Sequence, residues 1–369
     1  MTEKVAMKKL YLRNPWKKHA DKRSREGTNK ESKSKPSRSS FLAQHKQCYK
    51  AQGIPLPIKG KGGIRKIKAP EVFSLIQNTD RTLAFFEQIW GMCEHYPIYI
   101  DLSDVTEITT ESILYLLSIL DRLKTRDHKK IKGNYPMNED CRRLLCSSGF
   151  TNYIETSKAN RIHSGDVLEI IHGDKVNPVE VVKIERFIRE KLKIPQRNKA
   201  TQSIHIVLLE CVGNTYDHAY NKGSTKSMPY QAKWWAMAHY QQGMVSCSVL
   251  DNGAGIPATM KKKFREIVKF WGREEHILLF KAFTEPARSR LKLEFRGKGL
   301  PKIYELVCLD YLKNVRVVSN KAFVNLSHLR ENKELQRPLK GTLYSFEFVI
   351  NDPDVTRGEN YGTEIYEGE

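Results

Sequence analysis

Apolar and polar positions along this chain fall into short blocks of distinct period. Near the middle, Leu208, Leu209 and Val212 alternate with Glu210, Asn214 and His218. The three polar residues are spaced by four, which stacks them on one face of a helix predicted over residues 208–220. Upstream, Asn177-Pro178-Val179-Glu180 reads as a helix start, with Asn as cap, Pro at the first helical position and Glu reaching back. That helix is expected to end near Leu192. Residues 98–102 read as a strand entering an amphipathic helix over 112–124, and residues 142–154 as a helix, a glycine stop and a strand. Two apolar runs flanking Gln241-Gln242-Gly243 predict a β-hairpin. Residues 300–307 read as a helix, and 315–319 and 343–350 as further strands.

Candidate chemistry gathers at the ends of these elements. Asp251 stands where the buried strand of 244–251 stops, and Gly253 and Gly255 follow it, opening the backbone to close ligand approach. Gly297, Lys298 and Gly299 precede the helix at Leu300, and amides at such a helix start can hold phosphate. Gly341 and Thr342 head the last strand. Each cluster alone is weak, because a lone Gly-x-Gly is usually a turn.

Taken in order, the helix ExxxNxxxHA, then DNGxGI, then GxGL, then Gly-Thr before a strand, the segment from about 177 to 350 resembles the GHKL superfamily of histidine kinase-like ATP-binding domains. The HAY ending of the helix is closest to the anti-sigma-factor serine kinase branch. The resemblance implies an α+β domain with helices packed on one face of a mixed sheet, and ATP and Mg2+ as cofactors. On the matching positions it implies Asn214 as the magnesium ligand, Asp251 as acceptor for the adenine amino group, and Glu210 as general base. It also implies nucleotide contacts at His218, Gly253, Gly255, Ile256, Gly297, Lys298, Gly299, Leu300 and Thr342. The segment between Asp251 and Gly299 would form a lid rich in Lys and Arg, with Lys298, Arg290 and Arg288 as its phosphate contacts. Phe270, Trp271, Phe280 and Phe283 in that lid are expected to pack rather than stack on a base. Glu210 favours an enzyme, an ATPase or a serine/threonine protein kinase-like activity. A non-catalytic ATP-sensing module and a nucleic-acid-engaging component gated by ATP stay open.

The segment from about 70 to 172 resembles the STAS fold of anti-sigma-factor antagonists, on its strand, loop and helix order. Where that family carries Asp-Ser-Ser-Gly, this chain has Thr109-Thr110-Glu111-Ser112. Glu111 at the phosphorylatable position would place a permanent charge there, short of a phosphate's roughly −1.5 to −2. Thr110 and Ser112 are hydroxyl candidates whose plainer role is helix capping. Joining an antagonist-like to a kinase-like module would make their contact intramolecular.

Charge alters the picture at the ends. The chain of 369 residues has a formal net charge of +21, with Lys and Arg concentrated in residues 1–68. That composition predicts a largely disordered arm suited to nucleic acid, an acidic protein or anionic lipid. Residues 351–369 are acidic. The expected organisation is therefore a basic arm (1–68), a STAS-like domain (69–174), a GHKL domain (175–350) and an acidic tail (351–369). The expected partners are ATP, a regulatory protein and, through the arm, nucleic acid, with a homodimer left open. No apolar run reaches the ~20 residues that span a bilayer, and the start lacks a secretory pattern. The seven scattered Cys offer neither a disulfide framework nor a zinc site. A cytoplasmic setting is expected.

Overall fold

The computed structural model describes residues 40–124, 131–153, 162–196, 198–218, 233–263, 274–284 and 299–349. Most of the basic arm, the whole acidic tail, and Arg288, Arg290, Gly297 and Lys298 lie outside the described residues, as do Phe270, Trp271 and the side chain of His218. The chain divides into two units, Met1–Leu56 and Pro57–Glu369. In the first, helix α1 (Ser40–Ala51) lines up Phe41, His45 and Tyr49 at four-residue spacing, with ring centroids 4.4 and 5.7 Å apart. This helix, and β1 and β2 of the second unit, put regular structure into residues 40–68, which composition assigned to the arm.

The second unit is mixed α/β. β1 (Ile58–Lys59) pairs antiparallel with β2 (Arg65–Lys68), which pairs in parallel with β4 (Ile98–Asp101), itself parallel to β6 (Ile131–Gly133). Helix α2 (Thr79–Cys93) joins β2 to β4, and α3 (Thr110–Lys124) joins β4 to β6. Such crossovers are what parallel pairing requires. A short parallel pair, β3 (Val72–Phe73) and β5 (Glu107–Ile108), leads into these two helices. Next comes α4 (Glu139–Ser147), capped by the Asn138 side chain accepting from the Cys141 N–H at 3.0 Å. A 3-10 turn at Phe150–Asn152 replaces the strand expected there. Ser148 Oγ takes the Phe150 N–H at 3.2 Å and the Gly149 carbonyl takes that of Asn152 at 2.9 Å, so these donors turn back on the chain.

The larger sheet is antiparallel throughout, in the order β10-β11-β9-β8-β7, with β7 at Val167–Gly173, β8 at Trp234–Gln241, β9 at Met244–Asp251, β10 at Lys313–Asn325 and β11 at Lys333–Val349. β7 falls upstream of the domain boundary read from sequence, yet it pairs with β8 and completes this sheet. The predicted hairpin forms, and its turn residues Gln242 and Gly243 take φ of 51° and 81°, the positive pair that a tight twisted hairpin favours.

Strand alternation splits the sheet into two faces. Trp234, Ala236, Val249, Cys247, Tyr344 and Phe346 join one buried core with α5 (Pro178–Leu192), α6 (Lys199–His218), α8 (Glu275–Thr284) and α9 (Gly299–Cys308). The intervening Trp235, Met237, Ser248, Leu250 and Leu343 are also buried, and α3 packs on β8 and β9 while α2 packs on β11. The near-continuous apolar run of β8 follows from having both faces covered. α3 differs from the amphipathic helix read in the sequence. Ile113, Leu114, Tyr115, Leu116, Leu117, Ile119, Leu120 and Leu123 are all buried, the pattern of a helix enclosed on every side. Each such Leu or Ile contributes ~1.5–3 kcal/mol by leaving water. Among the described residues no helix is long and apolar enough to cross a membrane.

Candidate functional site

Helix α6 carries the first polar row. The Asn198 side chain accepts from the Ala200 N–H at 3.0 Å and caps its start. Its apolar face, Ile204, Val207, Leu208, Cys211 and Val212, is buried in the core, which leaves Glu210 and Asn214 half-buried at its margin. Cys211, with Cys247 of β9, is a core residue whose thiol is pushed up by burial, and all seven cysteines are unbridged.

The row meets the glycine clusters. Glu210 lies so close to Gly299, the first residue of α9, that a Cβ there would overlap its carboxylate. Asn214 donates from Nδ2 to the Tyr344 hydroxyl at 2.7 Å, which turns its carbonyl oxygen the other way. Tyr344 is buried on β11, two residues beyond Thr342, and Thr342 pairs directly with Asp251 of β9. A continuous series of contacts thus runs from Gly299 through Glu210, along α6 to Asn214 and Tyr344, and then along β11 to Thr342 and Asp251. Leu300 packs at the edge of the same core.

Asp251 is the electrostatic centre of the arrangement. Burial pushes its carboxyl up to about 6, against hydrogen bonds from the Gly253 N–H at 2.7 Å and from Thr342, and against the positive charge of Arg122. At neutral pH it is a mostly ionised acceptor held in dry surroundings. Desolvation makes such an acceptor demanding of a donor.

The loop after it is tied down from β10. Ser319 Oγ accepts from the Ile256 N–H at 3.0 Å and Asn320 Oδ1 from the Ala258 N–H at 3.2 Å, so these side chains cap α7 (Ile256–Lys263) across space. Gly255 takes φ of 88°, and a Cβ on it would meet the Asn320 side chain. Gly341 takes φ of 115° and presses on the Asp251 carbonyl. Both positions require glycine. Gly253 plays a different part from the one expected, supplying an N–H to Asp251 rather than a positive φ.

The segment expected as a lid is partly core. Leu278, Leu279 and Phe283 of α8 are buried, Phe280 packs edge-on against Tyr304 at 6.0 Å, and Lys261 is paired with Glu275 at 2.8 Å. Sequence reading did not reach Tyr344, Ser319, Asn320 or Arg122. Nothing local marks them, because each acts on a residue far away in the chain.

The segment expected as a loop at 109–112 instead enters the first turn of α3, with the Thr110 and Ser112 hydroxyls bonded and buried. Thr110 Oγ1 sits 2.7 Å from Ser248 Oγ, and Ser112 donates to the Phe73 carbonyl at 2.6 Å, with both residues buried. Glu111 is 4% exposed, accepts from Ser74 Oγ at 2.9 Å, and has its carboxyl raised by burial. The permanent charge expected there is therefore replaced by a buried acid drawn toward its neutral form.

No protein-family model and no curated protein matches this chain.

Proposed function

We propose that this chain is a magnesium-dependent ATP-binding protein of the GHKL type, preceded by a STAS-like module, and that it hydrolyses ATP or passes the γ-phosphate to a protein hydroxyl in a regulatory role. One observation carries the reading. Four motifs spread over more than a hundred residues of sequence, at Glu210/Asn214, Asp251, Gly299 and Thr342, fall along one unbroken series of contacts at one end of one sheet face. The alternation of β2, α2, β4, α3, β6 and α4 supports the STAS-like reading of the upstream segment.

The residues present fit the group. A dry carboxylate at Asp251 suits the exocyclic amine of adenine, the strongest directional donor that base offers. Asn214 donates from its one amide nitrogen to Tyr344, which leaves a hard carbonyl oxygen for a magnesium ion that keeps most of its waters. When bound, the ion would neutralise phosphate charge. Glu210, at the margin of α6, is the carboxylate placed to take a proton from an attacking hydroxyl. The Gly299 contact allows α9 to start against it without a side chain intervening.

The test is incubation with γ-labelled ATP and magnesium, with and without cell lysate. Free phosphate marks hydrolysis, label on protein marks a kinase, and retained intact ATP marks a sensor. Asp251→Asn is expected to weaken ATP binding at least ~10-fold through loss of a charged hydrogen bond. Glu210→Ala should bind ATP but not turn it over. Parent-like binding by Asp251→Asn would rule the reading out.

A further inference from the structure

On the proposed reading of the site, we infer that α3, from the upstream half of the chain, is its positioning wall: Arg122 and Tyr115 fix the two backbone segments between which Asp251 and Thr342 are held. Arg122 is 4% exposed and donates from Nη2 to the Asn252 carbonyl at 2.7 Å, one residue past Asp251. Tyr115, seven residues earlier and so on the same helical face, accepts from the Lys340 N–H at 3.0 Å, two residues before Thr342. The end of β9 and the middle of β11 thus hang from one helix.

A third attachment reinforces the first. Asp121, beside Arg122, pairs with Lys233 Nζ at 3.0 Å, and the Lys233 N–H donates to Asn252 Oδ1 at 3.0 Å. Asn252 is therefore gripped by its carbonyl from α3 and by its side chain from the residue before β8. Its own N–H returns to the Lys233 carbonyl at 3.2 Å. The grip comes from the face of the sheet that α3 covers, opposite the face that α6 covers. Arg122 and Tyr115 are positioning residues, acting through Asn252 and Lys340.

The guanidinium has a second effect, since its positive charge favours the ionised form of Asp251 from behind. Among the described residues, the charged and titratable groups around that carboxyl are Arg122 and Asp121 of α3, Lys233 before β8, Tyr344 of β11, and Glu210 and Cys211 of α6, the last two interacting with Tyr344. Of these, Arg122 is the cation whose field lowers the Asp251 carboxyl.

The experiment uses the full chain, with fluorescent ATP analogue titrations from pH 5 to 8 for the parent and for Arg122→Met, Arg122→Lys and Tyr115→Phe. Circular dichroism establishes that each variant is folded. Arg122→Met should weaken binding ~10-fold or more at pH 7 and move the pH midpoint of binding above that of the parent. Arg122→Lys should recover the midpoint, which follows charge, but not the full affinity, which follows the bond to Asn252. Tyr115→Phe should weaken binding ~3-fold with no shift of midpoint. A folded Arg122→Met variant with parental affinity and midpoint overturns the positioning role and leaves the nucleotide reading standing. A parent protein that binds no ATP analogue overturns both. Should Arg122→Met fail to fold, Arg122→Lys decides alone, and parental affinity in it sinks the role of the Asn252 bond.

Discussion

The two faces of the five-stranded sheet are both buried, but they use their polar residues differently. On the face packed by α5, α6, α8 and α9, polar groups collect at one margin, where Glu210 and Asn214 stay half-buried beside Asp251 and Thr342. On the face packed by α2 and α3, polar groups are spread along the joint and four of them meet partners distant in sequence. Thr110 meets Ser248, Arg122 meets Asn252, Asp121 meets Lys233, and Arg337 Nε reaches Glu87 at 2.8 Å. On the proposed reading one face offers chemistry to a ligand, while the other spends its polar groups on register. Burial of polar groups alone therefore does not mark a site, since Glu111 is as deeply buried as Asp251 yet sits in a structural joint.

The sharpest way to break this comparison is to damage the second face and ask whether the first survives. Leu114→Ala deletes a fully buried side chain of α3 and should cost about 2–5 kcal/mol, read as a lower urea midpoint. Tryptophan fluorescence and circular dichroism should still show one coincident transition. Two separated transitions would mean that the faces belong to independently folding halves.

Asp251 provides the next largest effect. Its carboxyl stands at about 6 in the folded protein against an ordinary 3.8, so between these values the folded state holds a proton that the unfolded state has released. Stability therefore falls as pH rises from about 4 through about 6, and above 6 the full cost of roughly 3 kcal/mol is present. In Asp251→Asn that component should vanish, giving a flatter stability profile across this window in denaturation at several pH values. An unchanged slope would show that the carboxyl is not strained by burial.

Smaller effects test the joint group by group. Thr110→Val leaves the Ser248 hydroxyl buried without its partner and should cost about 1–3 kcal/mol, whereas adding Ser248→Ala should recover much of it. A double-mutant cycle measures that difference. At the hairpin tip, away from both faces, Gly243→Ala should cost only about 1 kcal/mol through its positive φ, with the proposed ATP binding untouched.

Local signals reached some of this arrangement. The Asn177 cap is observed, with its side chain accepting from the Val179 N–H at 3.0 Å, and α5 ends at Leu192. Glu180 departs from the expected capping box, because its carboxylate takes Lys183 Nζ at 2.9 Å instead. The hairpin around Gln242 and Gly243 was equally legible, since turn chemistry is written in adjacent residues. The extent of α3's burial was not, because its polar positions, Thr110, Ser118, Asp121 and Arg122, imitate a solvent face in sequence. Ser118 in fact returns its hydroxyl to the Tyr115 carbonyl at 2.8 Å. The ordered motifs suggested which residues could gather at one margin, but the Tyr344 hydroxyl and the Asn252 grip depend on strands and helices that sequence order keeps far apart.

The enclosure of α3 bears on how the protein is made. A ribosome finishes this oily helix long before it reaches β11, the last strand of the sheet that covers it. At ~5–20 residues per second, more than two hundred further residues keep that surface waiting for roughly 10–45 s. The nascent chain must shelter it for that time, so synthesis speed and chaperone supply, rather than the final stability alone, should govern how much active protein a cell obtains.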